Sequence, residues 1–213
     1  MAALRPPAAL LLLALALAAG GCSTVSSLNS AARNLDAFTL TPLPPQAGVQ
    51  RSSRILFVAE PTMPGAIGSD RIVMKPSPIQ VTLLGDGRWV EPAPAHVRNL
   101  LTRSLANTGR FAFVSAASVG PLPDFTLMTD VERFEAELLP AGGAPARAVV
   151  SMTLTVVRDV DGRLVASRRF SRTAEAPDTG ALAIVSAFEA ATGALLREAV
   201  PWASAVMTGA PGV

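Results

Sequence analysis

The stretch that decides the fold is Phe125–Leu138, FTLMTDVERFEAEL, followed by Ala148–Val160, AVVSMTLTVVRDV. In the second segment Ala148, Val150, Met152, Leu154 and Val156 fall on one face, with Val149, Ser151, Thr153, Thr155 and Val157 on the other. That period of two belongs to an extended strand. In the first segment Phe125, Leu127 and Val131 share a phase, after which Phe134, Ala136 and Leu138 take over. One extra residue must sit between the two phases, so the pattern predicts a β-bulge near Glu132–Arg133. Asp161-Gly162 then reads as a two-residue type I′ turn, with Leu164–Arg172 as the return strand.

Outward from this hairpin the elements are shorter. Ala37–Leu43 alternates Phe38 and Leu40 with threonines and is closed by Pro42, Pro44 and Pro45; Arg54–Ala59 is an apolar run suited to a central strand. Asp70–Lys75 and Ile79–Leu84 read as strands ending at a Gly85-Asp86-Gly87 turn, and Phe111–Val114 as a brief strand. Pro94–Asn107 places Val97, Leu100, Leu101, Ser104 and Leu105 on one helical face, with Gly109 as a stop. Thr179–Met207 carries a longer stripe through Ile184, Phe188, Ala191, Leu195, Ala199, Trp202 and Val206, with Pro201 expected to kink or end it. There is no internal repeat. The expectation is a single α+β domain, a mainly antiparallel sheet with two helices packed on one face.

Composition excludes several classes. The chain has 213 residues, 18 Lys plus Arg against 16 Asp plus Glu, one His and one Cys. A single cysteine forbids an internal disulfide, and one His with one Cys cannot build a zinc site of the usual ligands. A formal charge of +2 is too small for nucleic-acid binding. No glycine-rich phosphate loop precedes Lys75, and no G-x-S-x-G elbow occurs. His96 stands among Ala and Pro at a helix start and reads as a surface or half-buried residue. Asp130 and Glu132 share a strand face, where charges alternate with Val131, Arg133 and Phe134; this reads as a solvated face, cross-paired with Arg163, Arg168, Arg169 and Arg172. No enzyme, cofactor or metal site is expected.

Half of the residues are apolar, and much of the surplus lies in Ala8–Ala19. Arg5, this 12-residue run and Ala19-Gly20-Gly21 form the three parts of an export signal, and the run is shorter than the ~20 residues of a membrane span. The lone cysteine, Cys22, follows at once, with Ser23 next. Small residues placed directly before a cysteine resemble the lipobox of bacterial lipoproteins. That resemblance implies a cleaved signal over 1–21 and a Cys22 bearing acyl chains such as palmitate. It also implies sorting by Ser23 to the outer membrane. Residues 22–36 then form the lipidated cysteine and a flexible Ser/Asn-rich tether. Its 14 residues after Cys22 reach about 45 Å when extended. The domain covers 37–207, and 208–213 is expected to be a disordered tail.

The order of features carries a second resemblance. After the lipobox and tether come Phe38-Thr39-Leu40, a V-x-x-P-x-x-P-G loop (Val58–Gly65), Asp70-Arg71-Ile72-Val73, Arg88-Trp89-Val90-Glu91-Pro92, the helical Leu101–Leu105 and the long hairpin. This succession resembles the ABC-type transport auxiliary lipoprotein family. The resemblance implies a lipid-anchored protein on the periplasmic face of the outer membrane, doing no chemistry. Its partners would be an MCE-domain periplasmic protein and an ABC permease and ATPase that move phospholipid or another hydrophobic substrate; self-association is left open. Docking is expected at a sheet edge or at Met63, Pro64, Gly65 and Ala66. Two other readings are an assembly lipoprotein that plugs or chaperones an outer-membrane β-barrel, and direct lipid carriage between sheet and helices.

Overall fold

In the computed structural model, residues 35–117, 120–140 and 144–209 are described. The hairpin organises them. β6 (Phe125–Leu138) pairs antiparallel with β7 (Ala146–Arg158), and β8 (Arg163–Ala176) continues the meander. The bulge is where the apolar phase requires it: pairing runs to Val131↔Met152 and resumes at Arg133↔Ser151, leaving Glu132 as the extra residue. Phe125, Leu127 and Val131 before it, and Phe134 and Ala136 after it, are all buried on the helix side.

β6 is the hub of an eight-stranded mixed sheet. β7 takes one of its edges; the other is shared in line by β2 (Ile55–Val58), beside Phe125–Leu127, and β3 (Arg71–Ser77), beside Glu135–Glu137. These short pairings are parallel, as are β2 with β5 (Phe113–Ser115) and β1 (Asp36–Phe38) with β4 (Gln80–Trp89). The long ladders, β6–β7 and β7–β8, are antiparallel. Helix α1 (Ala93–Asn107) packs near β2 and β5, and α2 (Ala181–Thr208) lies along β7 and β8 on the same face. The α+β reading with both helices on one face holds.

Four local expectations change. β4 does not turn at Gly85-Asp86-Gly87 but runs through to Trp89, and its hairpin with β3 turns earlier, at Pro78-Ile79. Gly87 serves packing: a Cβ there would stand 3.0 Å from the Phe38 ring and 3.2 Å from the Ala181 methyl, so glycine lets β1 and α2 close on β4. At the other hairpin the last pair is Arg158↔Arg163, so the loop has four residues, and only Gly162 has positive φ (66°). A type I′ turn needs positive φ at both central residues. Asp161 instead accepts from Arg158 Nε at 3.0 Å and from the Arg163 N–H at 3.3 Å. β1 ends at Phe38, because the chain beyond it is held by helix side chains. Finally, Pro201 lies inside α2 on its exposed side, where water can serve the carbonyl it frees, and the helix continues to Thr208.

The core centres on aromatics from three elements. Trp89 of β4 lies 5.3 Å from both Phe134 of β6 and Phe188 of α2, edge-on to the latter at 88°, and Phe134 and Phe188 are 5.0 Å apart. Such pairs add about 0.5–1.5 kcal/mol beyond the area they bury.

Candidate functional site

The loop after β2 is anchored at both ends. The Thr62 N–H donates to Thr129 O (2.9 Å), the Val131 N–H to Thr62 O (2.9 Å), and the Thr62 hydroxyl to Asp130 Oδ1 (2.8 Å). Ile67 is buried, its N–H turning back to Pro64 O at 3.1 Å, and Met63 packs on the core. Of the four candidate docking residues, Pro64, Gly65 and Ala66 are exposed. The loop is a small knuckle standing beside the β6 bulge. Cys22, the signal and most of the tether, together with the end of the tail, lie outside the described residues.

The outer face of the sheet, away from the helices, is closed by ion pairs. Glu135 is only 6% exposed, with Arg133 Nε at 2.8 Å and Lys75 Nζ at 3.7 Å. Glu137 meets Arg133 and, at 2.7 Å, Arg147. Burial pushes the Glu137 carboxyl up, but the hydrogen bonds and charges of Arg147 and Arg133 outweigh it and hold it below its usual range. Arg133 is held above its usual range: burial opposes its charge, and Glu135 and Glu137 more than offset that. The solvated strand face expected here is therefore partly wrong. Arg133, Glu135 and Glu137 at alternate positions were legible as one face. Lys75 joins them only through the parallel register Lys75↔Glu137.

The arginines of β8 divide by side. Arg169 pairs with Glu132 on the outer face, as expected, and Glu132 also accepts from Thr153 Oγ1 at 2.8 Å. Arg168 and Arg172 point to the helix side and share Glu198 of α2. Asp130 takes Thr62 in place of an arginine.

His96 departs most from its reading. It is 2% exposed, stacks on Trp89 (5.6 Å between centroids, 21°), and accepts the Leu40 N–H at Nε2 (3.1 Å). That bond places the neutral imidazole's proton on Nδ1, which faces Glu91 Oε1 at 3.5 Å. Burial lowers its pKa below 6.5, partly offset by Glu91 and Glu189. The Thr41 N–H donates to Glu189 and the Leu43 N–H to Ser104 Oγ, so His96 belongs to a clasp that fastens residues 39–43 across α1 and α2. No local pattern announces this, since the partner lies 56 residues away.

Among the described residues no cluster of three His, Cys, Asp or Glu could hold a metal ion, and no helix is long and apolar enough to cross a membrane. The centre of the space between sheet and helices is filled by Trp89, Phe134, Phe188 and their neighbours.

Fold and surface together define a single α+β domain with a mixed, curled sheet, helices on one face and an ion-paired outer face. The family model described as the ABC-type transport auxiliary lipoprotein component matches residues 38–200, and the chain belongs to that family. Family membership makes it a lipoprotein component auxiliary to ABC-type transport, and so membrane-associated. Among solved structures, a Xanthomonas campestris protein of the DUF330 family is 28% identical, with a TM-score of 0.69 over 81% of this chain and 96% of that one. A Chlamydia trachomatis hypothetical protein, 8% identical, shares the fold at a TM-score of 0.50 over 74% and 99% of the two chains. No curated protein matches significantly.

Proposed function

We propose that this protein is the outer-membrane-anchored, periplasm-facing attachment subunit of an ABC transport system that moves phospholipid or a related hydrophobic substrate. Acylated Cys22 holds it, Ser23 directs it to the outer membrane, and the domain engages an MCE-type periplasmic protein working with the permease and ATPase. It carries out no chemistry of its own. The observation that carries this reading is the order of parts: export signal, lone cysteine, tether, then a domain matched from residue 38 to 200 by the auxiliary lipoprotein family. Two or three acyl chains, at about 0.8 kcal/mol per buried methylene, anchor a protein almost permanently.

The test is in-cell crosslinking of the full lipoprotein with identification of the trapped protein, alongside fractionation of Cys22→Ala. Recovery of an MCE-domain protein, and loss of the variant from the outer membrane, are expected. A trapped β-barrel, or a wild-type protein resident in the inner membrane, overturns the reading. Replacing Met63–Ala66 with a neutral linker tests the knuckle: unchanged recovery removes it from the docking surface.

A further inference from the structure

Residues 39–43, which follow β1, are fastened by side chains of the two helices. The Leu40 N–H donates to His96 Nε2 (3.1 Å), the Thr41 N–H to Glu189 Oε2 (2.9 Å) and the Leu43 N–H to Ser104 Oγ (3.1 Å). Of these three acceptors, only the imidazole nitrogen loses all capacity to accept when it takes a proton. Nδ1 already carries the hydrogen of the neutral ring, so a second proton can enter only at Nε2, the atom that holds Leu40. Two N–H donors then face each other across what had been a 3.1 Å hydrogen bond. The charged ring is not stranded. Its Nδ1 is buried without a hydrogen-bond partner and stands 3.5 Å from Glu91 Oε1, which would take the strengthened N–H. Glu189 of α2 also favours the charge; Arg103 of α1 lines the same small hollow and opposes it, and residues 39–43 bring no titratable side chain.

We propose that residues 39–43 are a proton-released strap, fastened across α1 and α2 while His96 is neutral and detached locally when its imidazole becomes charged. Detachment is local because none of the strap's bonds belongs to the sheet. Even Leu43 O accepts from a side chain, Asn107 Nδ2 (2.7 Å), and the β6–β7 hairpin keeps its own ladder. Leu40, 3% exposed, leaves the core only as the strap opens. Burial lowers the imidazole's pKa below 6.5 in the fastened form, so the released ring binds the proton more readily. Fastening is therefore complete above 6.5 and weakens as pH falls below it.

The test is amide hydrogen exchange of the full lipoprotein in detergent at about pH 7.5 and about pH 5.5, corrected for the intrinsic pH dependence of exchange. Protection of residues 39–43 should fall about three- to tenfold in acid, the ceiling being about tenfold per pH unit below 6.5, while Phe125–Leu138 stays unchanged. His96→Gln keeps an uncharged acceptor and should show equal protection at both pH values. A second measurement needs no variant: imidazole nitrogen shifts of the wild type should show the Nδ1–H tautomer at the higher pH. Unchanged protection in acid, an equal loss across Phe125–Leu138, a pH response that survives in His96→Gln, or an Nε2–H tautomer overturns the proposal. None of these outcomes touches the attachment role, which stands or falls on the crosslinked partner.

Discussion

The two faces of the β6–β7 ladder are built from different physics, although they share every backbone hydrogen bond. On the helix side Phe134 meets Trp89 and Phe188, Val150, Met152 and Leu154 are buried in the same core, and the gain comes from apolar area removed from water. On the outer side no described helix or strand covers the sheet, and Glu132, Arg133, Glu135, Glu137, Arg147, Arg169 and Lys75 close over it in opposite-charge pairs. Paired charges that lose water gain little net energy, yet they penalise any register that separates them. The inner face therefore supplies the stability, and the outer face supports the pairing order of β3, β6, β7 and β8.

The largest effect should come from breaking the inner face. Phe188→Ala removes a ring in contact with both Trp89 and Phe134 and should cost about 3–5 kcal/mol in chemical denaturation. A cost below ~1.5 kcal/mol would show that the aromatic centre is not what holds α2 to the sheet. Glu135→Gln strips the counter-charge from Lys75 and half of Arg133's, at an expected cost of about 1–3 kcal/mol. In a double-mutant cycle with Lys75→Met the two changes should be non-additive; additivity would separate Lys75 from the network.

Acid distinguishes the faces further. The pKa of His96 is lowered in the folded state, so the unfolded chain binds its proton first. Stability from this group is complete above 6.5 and falls as pH drops below it, by at most about 1.4 kcal/mol per unit. The carboxyl of Glu137 is also lowered, from 4.5, so its contribution fades only below that value. Melting curves should thus lose stability first between pH 6.5 and 5, and His96→Gln should flatten that window alone. A pH-independent wild type over that range would place the histidine in water. The smallest effect belongs to Glu198→Gln, whose pairs with Arg168 and Arg172 are about a third to a half exposed: under ~1 kcal/mol, shrinking with salt.

Much of the fold was legible because the hairpin's apolar phase is long and unambiguous. The change of phase between Val131 and Phe134 can only be accommodated by an extra residue, and that residue is Glu132. Glycines misled for the opposite reason. Gly87 and Asp161-Gly162 carry the local marks of turns, but Gly87 answers to Phe38 and Ala181, and Asp161 to Arg158, none of them adjacent in the chain.

By itself the sequence determined the α+β class, the helix faces, the bulge and the residues expected to carry the lipid address, because each is written in local periodicity or in a contiguous motif. Only the tertiary structure decided that Lys75 meets Glu135 and that His96 is buried as the acceptor for Leu40. These depend on which strands become neighbours. That choice is made by the whole core at once, since strand pairing brings together residues whose separation along the chain carries no local signal.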